Sequence, residues 1–150
     1  MSVHSRRRLM KAVDVERVRR AIAAAELASS GEVRVSVSRF FWGGVRRAAE
    51  RAFVRLGMTR TKDRNGVLFF IVPSRRRFVV LGDAGIHAAV GQEFWESLAG
   101  HLAASFREGD FTGGLVAAID EAGRRLAERF PHRPGLDVNE LADDVDFGDN

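Results

Sequence analysis

The stretch from Thr61 to His87 constrains the fold more than any other part of the chain. Val67 to Val72 is an unbroken apolar run, rich in β-branched and aromatic side chains and bounded by Asn65-Gly66 and Pro73. Too short for a core helix, it reads as a strand buried on both faces. Phe78 to Leu81 is a second such run, and the short Pro73 to Arg77 connection makes the pair an antiparallel hairpin. A hairpin returns the chain to the edge it started from. Asp63 and Asn65, just before the first strand, are therefore expected beside Gly82 and Asp83, just after the second.

The flanking sequence supplies the layers around that hairpin. Asp14 reads as the N-cap of a helix carrying Val15, Val18, Ile22 and Ala25 on one face until Ser29-Ser30-Gly31 ends it. Glu32 to Ser38 alternates, with Val33, Val35 and Val37 against Arg34, Ser36 and Ser38, as in a strand near the sheet edge with one face partly covered. Beyond Phe40-Phe41-Trp42-Gly43-Gly44, the spacing of Val45, Ala48, Ala49, Ala52, Phe53 and Leu56 predicts a second helix, closed by Gly57. Strand, helix, strand in this order is most simply a parallel βαβ unit. Glu32 then opens its strand at the edge where Asp63 precedes the next. After the hairpin come a helical turn over Ile86 to Val90 and two apolar helical stripes, Phe94 to Phe106 and Phe111 to Phe130, with Asp110 as the N-cap of the second.

A chain of 150 residues with 45% hydrophobic residues fits one α/β domain with one core. The absence of cysteine excludes disulfides, thiolate zinc sites and cysteine nucleophiles. Residues 1–80 hold 19 Lys and Arg against 6 Asp and Glu, and residues 81–150 hold 5 against 14, so the halves carry +13 and −9. Two halves of one domain largely neutralise each other, and most arginines stand at helical spacing beside alanines, as on a solvated face. Nucleic-acid binding is accordingly not favoured. The N-terminus has no apolar core of a signal peptide, and no window approaches the ~20 apolar residues of a transmembrane segment, so a soluble, cytoplasmic chain is expected. The expected organisation is a basic segment over 1–13, the domain over 14–131 and an acidic tail over 132–150. Leu136, Val138, Leu141, Val145 and Phe147 are interleaved with the acids of that tail, so 136–147 is expected to dock on a basic surface of this chain or a neighbour.

Two readings of the hairpin edge stay open on residues alone. Carboxylates, a carboxamide and flexible glycines are the oxygen-rich mixture that a hard cation such as Ca²⁺ or Mg²⁺ requires. Asp-x-Asn-Gly is equally a plain turn into a strand, and Asp83 a helix cap. The opposite sheet end offers a rival anion or partner surface, with Arg39, Gly43 and Gly44 at the carboxyl end of the first strand, Trp42 beside them and Arg75 to Arg77 nearby. The alternative there is a solvated arginine turn over aromatics packed beneath the helix.

The segments Leu56-Gly57-Met58, Lys62-Asp63-Arg64-Asn65-Gly66-Val67-Leu68, Gly82-Asp83-Ala84-Gly85-Ile86 and Phe106-Arg107-Glu108-Gly109-Asp110-Phe111, followed by Gly114-Leu115, resemble the TPM domain family over residues 14–130. That family includes thylakoid-lumen proteins of photosystem II repair and many bacterial members. The resemblance implies a three-layer α/β/α sandwich with a small mixed sheet of three to four strands around a central hairpin. It also implies divalent-cation binding, seen in several members, and the acid phosphatase activity of some. The chain departs from the family in having Asp83-Ala84-Gly85-Ile86-His87 where longer members read G-Y-G-L-E, and it is expected to carry no leader or membrane anchor. The expected function is a regulatory domain binding Ca²⁺ or Mg²⁺ through Asp63 and Asp83, with Asn65 and Glu32 as further oxygens. Asp110 joins that set through the resemblance alone. The enzymatic alternative is a weak metal-dependent acid phosphatase with His87 near the rim. The non-enzymatic alternative is an adaptor that holds a protein partner through Phe40 to Trp42.

Overall fold

The computed structural model describes residues 13–39, 41–132 and 145–148. Helix α1 (Val15–Ala28) leads to strand β1 (Glu32–Val37), helix α2 (Val45–Arg55), strand β2 (Gly66–Val72) and strand β3 (Arg77–Gly82). Helices α3 (Ala84–Val90), α4 (Gln92–Arg107) and α5 (Phe111–Arg129) complete the domain. Asp14 caps α1 by accepting a hydrogen bond from the Arg17 N–H, and Asp110 caps α5 by accepting one from the Gly113 N–H, each satisfying an amide that the first turn leaves open.

The sheet order is β1-β2-β3. β1 pairs parallel with β2, with Glu32 opposite Gly66 and Val37 opposite Ile71. β2 pairs antiparallel with β3, with Val67 opposite Gly82 and Val72 opposite Arg77. The run of apolar residues in β2 is explained by its two neighbouring layers, since every residue of the strand is buried. Val67, Phe69 and Ile71 face the larger core, shared with Val33, Val35 and Val37 and with α1, α4 and α5. Leu68, Phe70 and Val72 face the smaller one, under Val45, Ala49 and Phe53 of α2 and Met58. The result is the α/β/α sandwich with a mixed sheet.

The polar face of β1 is more covered than its alternation predicts. Ser36 is 1% exposed and Arg34 9%. Residues 145–148 account for much of this, because they extend the sheet beyond β1: the Val37 N–H donates to the Asp146 carbonyl at 2.7 Å and the Asp146 N–H to the Val35 carbonyl at 2.9 Å. Val145 and Phe147 on either side enter the larger core. The Asp146 carboxylate accepts from the Ser36 hydroxyl at 2.8 Å and forms an ion pair with Arg55 at 2.7 Å. Acidic tail and basic helix thus meet within the same chain. Residues 136–144 of the tail, residues 1–12 and Phe40 lie outside the described residues. Val13, at the end of the basic segment, is fully buried and belongs to the core.

Candidate functional site

The register places the polar residues of three strands in one row. Glu32 lies opposite Gly66, and the Asp83 N–H donates to the Gly66 carbonyl at 2.9 Å. Glu32, Asn65 and Asp83 therefore share one sheet edge, and all three are buried. The loop before β2 is folded against the start of α3. The Arg64 carbonyl accepts from the Gly85 N–H at 2.8 Å and from the Ile86 N–H at 3.2 Å, two amides of the first helical turn. Arg64 adopts a left-handed φ of 51°, an uncommon conformation for a non-glycine residue, held here by both ends of the residue.

The other end of Arg64 is its guanidinium. It meets Asp83 in a two-pronged pair, with Nε donating to Oδ2 at 2.6 Å and Nη2 to Oδ1 at 2.8 Å. Asp83 Oδ1 also accepts from the Ala84 N–H at 2.8 Å, capping α3. The cap and one prong of the ion pair thus fall on the same oxygen. Burial by itself pushes the Asp83 carboxyl up, but the Arg64 hydrogen bonds, the Ala84 N–H and the guanidinium charge outweigh it and hold the group below the ordinary carboxylate range.

Around this pair the oxygen set is partly committed. Asn65 Nδ2 donates to the Ser30 hydroxyl at 3.3 Å, which engages the nitrogen end of its carboxamide. Thr61 is 4% exposed, and its hydroxyl oxygen has no hydrogen-bond partner among the described residues. Asp63 is half-buried in the same loop. An open cleft between α2 and β3 has Asp83, Gly82, Thr59, Arg46 and Glu50 on its walls. Glu50, Thr59 and Thr61 did not stand out in the sequence, where they lie within a basic helix and a short connection and form no motif. Among the described residues, no three His, Asp or Glu side chains form a ready-made metal cage.

Asp110 is not at this rim. Phe106 and Phe111, which bracket its turn, pack edge-on, and Phe106 packs on Phe78, whose strand partner is Ile71 at the hairpin-turn end of the sheet. That end is roughly 15–20 Å from Gly66 at the rise of a strand. Its carboxylate serves α5 as a cap, the role that local sequence indicates. His87 is placed beside the rim, but its Nδ1 accepts from the Trp95 indole N–H at 2.9 Å, so that nitrogen holds a neighbouring helix in position. Nothing in this geometry favours the hydrolase alternative.

At the far end of the sheet the rival residues are assembled as a second group. The Ser74 hydroxyl donates to the Arg39 carbonyl at 2.8 Å, Arg51 Nη2 donates to the Trp42 carbonyl at 3.1 Å, and the Arg75 guanidinium lies over the Phe41 ring, 5.7 Å from its centroid. Gly43, with φ of 71°, and the N-cap Gly44 turn the chain into α2.

The layers, the mixed sheet and the polar rim beside α3 define a small α/β/α domain whose chemistry-bearing residues lie at the ends of the sheet. The chain belongs to the TPM domain family, which it matches over residues 3–125. It is similar to the BA42 protein of the psychrophilic bacterium Bizionia argentinensis, whose NMR structure aligns with a TM-score of 0.81 at 35% identity, covering 87% of this chain and 90% of that one. The N-terminal domain of the cg2496 protein of Corynebacterium glutamicum aligns with a TM-score of 0.52 at 14% identity, covering 84% of this chain and 74% of that one, and shares the fold. No curated protein matches the chain.

The two depressed carboxylates set an expected pH response. For Asp146, burial again acts upward and is outweighed by hydrogen bonds from Arg55 and Ser36, by the Arg55 charge and by the Gly148 N–H. A carboxyl with a lowered folded-state pKa stabilises the fold above its unfolded value of about 4, and loses that contribution as pH falls through the folded value. Urea denaturation between pH 6 and pH 3 is expected to show a steeper loss of stability for the wild type than for the Asp83→Asn, Asp146→Asn double variant. Superimposable acid limbs would show that neither pair contributes.

Proposed function

We propose that this TPM domain binds a divalent cation, Ca²⁺ or Mg²⁺, at the rim of β1, β2 and β3. The reading rests chiefly on Asp83: an ionised, 8% exposed carboxylate on the wall of an open cleft, balanced by a guanidinium whose own side chain is 51% exposed. Such a counter-charge is exchangeable. Arg64 reaches the buried carboxylate from the solvent side, so its guanidinium can swing outward and a divalent cation can take its place. Asp63 is the nearest second carboxylate in sequence, and Asn65, Glu32 and the buried Thr61 hydroxyl complete a set made only of oxygens, which suits a hard cation. The cation binding that the family resemblance implies points the same way. A regulatory role follows from the loop itself, since releasing Arg64 removes one of the two constraints on its left-handed backbone.

Thermal melts of the metal-stripped protein test this. Cation at about a hundred times its dissociation constant stabilises by roughly 2.7 kcal/mol, which for a domain of this size raises Tm by about 5–10 °C. The shift is expected to vanish in the Asp63→Ala, Asp83→Ala double variant and to appear at lower cation concentration in Arg64→Gln, where the competing guanidinium is gone. An unchanged Tm at millimolar Ca²⁺ and Mg²⁺, or a shift that survives the double variant, refutes the site.

A further inference from the structure

The group at the far end of the sheet has features that neither core packing nor the rim accounts for. Trp42 is 76% exposed, while the protein's other tryptophan, Trp95, is 8% exposed and hydrogen-bonded to His87. Its loop projects into solvent: a methyl group added at Gly43 or Gly44 would meet no atom within 4 Å. The projection is nonetheless anchored, by Arg51 on the Trp42 carbonyl and by Ser74 on the Arg39 carbonyl, so the backbone that carries the indole is held in place.

The charge around it is predominantly positive. Arg39, Arg47, Arg51, Arg75 and Arg76 are all exposed. Residues 38–49 and 73–82 contain no Asp or Glu, and Glu50 is the single acid in α2. We propose that this end of the domain is a docking surface for an anionic membrane, with the Trp42 indole seated at headgroup level and the arginines on lipid phosphates. Trp is the side chain that prefers the membrane interface, having an apolar body and one N–H for the wet side. Arginines near an anionic leaflet each add about 1 kcal/mol, or about fivefold in partitioning. A single-stranded nucleic acid fits less well, because it requires several aromatic platforms for successive bases, and among the described residues Phe41 is already covered by Arg75. The surface is at the opposite sheet end from Asp83, so it does not depend on the cation reading.

The test is vesicle co-sedimentation with tryptophan emission, in low salt with a chelator present. Phosphatidylglycerol-containing vesicles are expected to bind the protein and shift Trp42 emission to the blue, and pure phosphatidylcholine vesicles to do neither. Salt should release the protein as it screens the arginines. In Trp42→Phe the emission shift disappears while Trp95 still reports the fold. The Arg39→Gln, Arg47→Gln, Arg75→Gln variant, altered only at exposed side chains, should lose more than tenfold in partitioning with an unchanged melting temperature. The proposal is overturned by absence of binding to anionic vesicles, by equal binding to neutral ones, by undiminished binding of the triple variant, or by binding confined to a single-stranded oligonucleotide.

Discussion

Phe69→Ala is expected to lower the unfolding free energy by about 3–5 kcal/mol, the range for removing a fully buried aromatic side chain from a packed core. Phe69 is 0% exposed at the middle of the central strand, opposite Val35 on one side and Val80 on the other. Its ring faces the larger core, where β1, β2 and the helices α1, α4 and α5 all contribute side chains. Relaxation into the space is resisted on every side, because the strand is tied to two neighbours and cannot drift towards the helices. Urea unfolding monitored by circular dichroism measures the loss. A cost below about 1.5 kcal/mol would mean that the layers close over the cavity, contrary to the packing described.

The second large effect has the opposite sign from the one helix propensity gives. Gly85 is in the first turn of α3, and Gly→Ala within a helix ordinarily stabilises by about 1 kcal/mol. Here a Cβ would be driven into the carbonyl oxygen of Asp63 and stand 2.7 Å from that of Arg64. Both obstacles are backbone atoms, so no rotamer change relieves the contact. The loop has to withdraw, stretching the Gly85 and Ile86 hydrogen bonds to Arg64 and misaligning the guanidinium with Asp83. Gly85→Ala is therefore expected to destabilise by about 2–3 kcal/mol, as overpacking does where neighbours cannot yield. Denaturant midpoints of wild type and variant decide the sign, and a variant as stable as the wild type would show that the loop is freely displaced.

The features read correctly from the sequence are those that short-range pattern determines. The apolar run of β2 has no alternation because a helical layer lies on each face, and the brevity of the Pro73 to Arg77 connection leaves only an antiparallel return. Parallel pairing of β1 then follows from the intervening α2, and with it the gathering of Glu32, Asn65 and Asp83 at one edge. What the pattern does not contain is the direction of individual side chains. Arg64 and Asp83 are 19 positions apart, and their pairing depends on a left-handed backbone at Arg64 that no residue type at that position announces. The resemblance places Asp110 at the rim, whereas its own local signal, a cap before an apolar stripe, describes where it is. The arginines of α2 read as a solvated face, and they are exposed, but Arg55 also reaches a distant partner, Asp146, 91 positions away in the acidic tail.

That last contact bears on the order in which the domain becomes complete. Ser36 and Asp146 are 110 positions apart, and contacts of such separation form late because a long loop must first be closed. During synthesis β1, α2 and the hairpin can assemble while the outer edge of β1 still presents its Val35 carbonyl and Val37 N–H to any strand nearby. An open edge of this kind is a template for intermolecular pairing, and burial of Val145 and Phe147 beside it is what ends that exposure. The step most vulnerable to aggregation thus falls between folding of the sheet and arrival of residues 145–148, so a nascent chain stalled short of Val145 should be the species that chaperones meet.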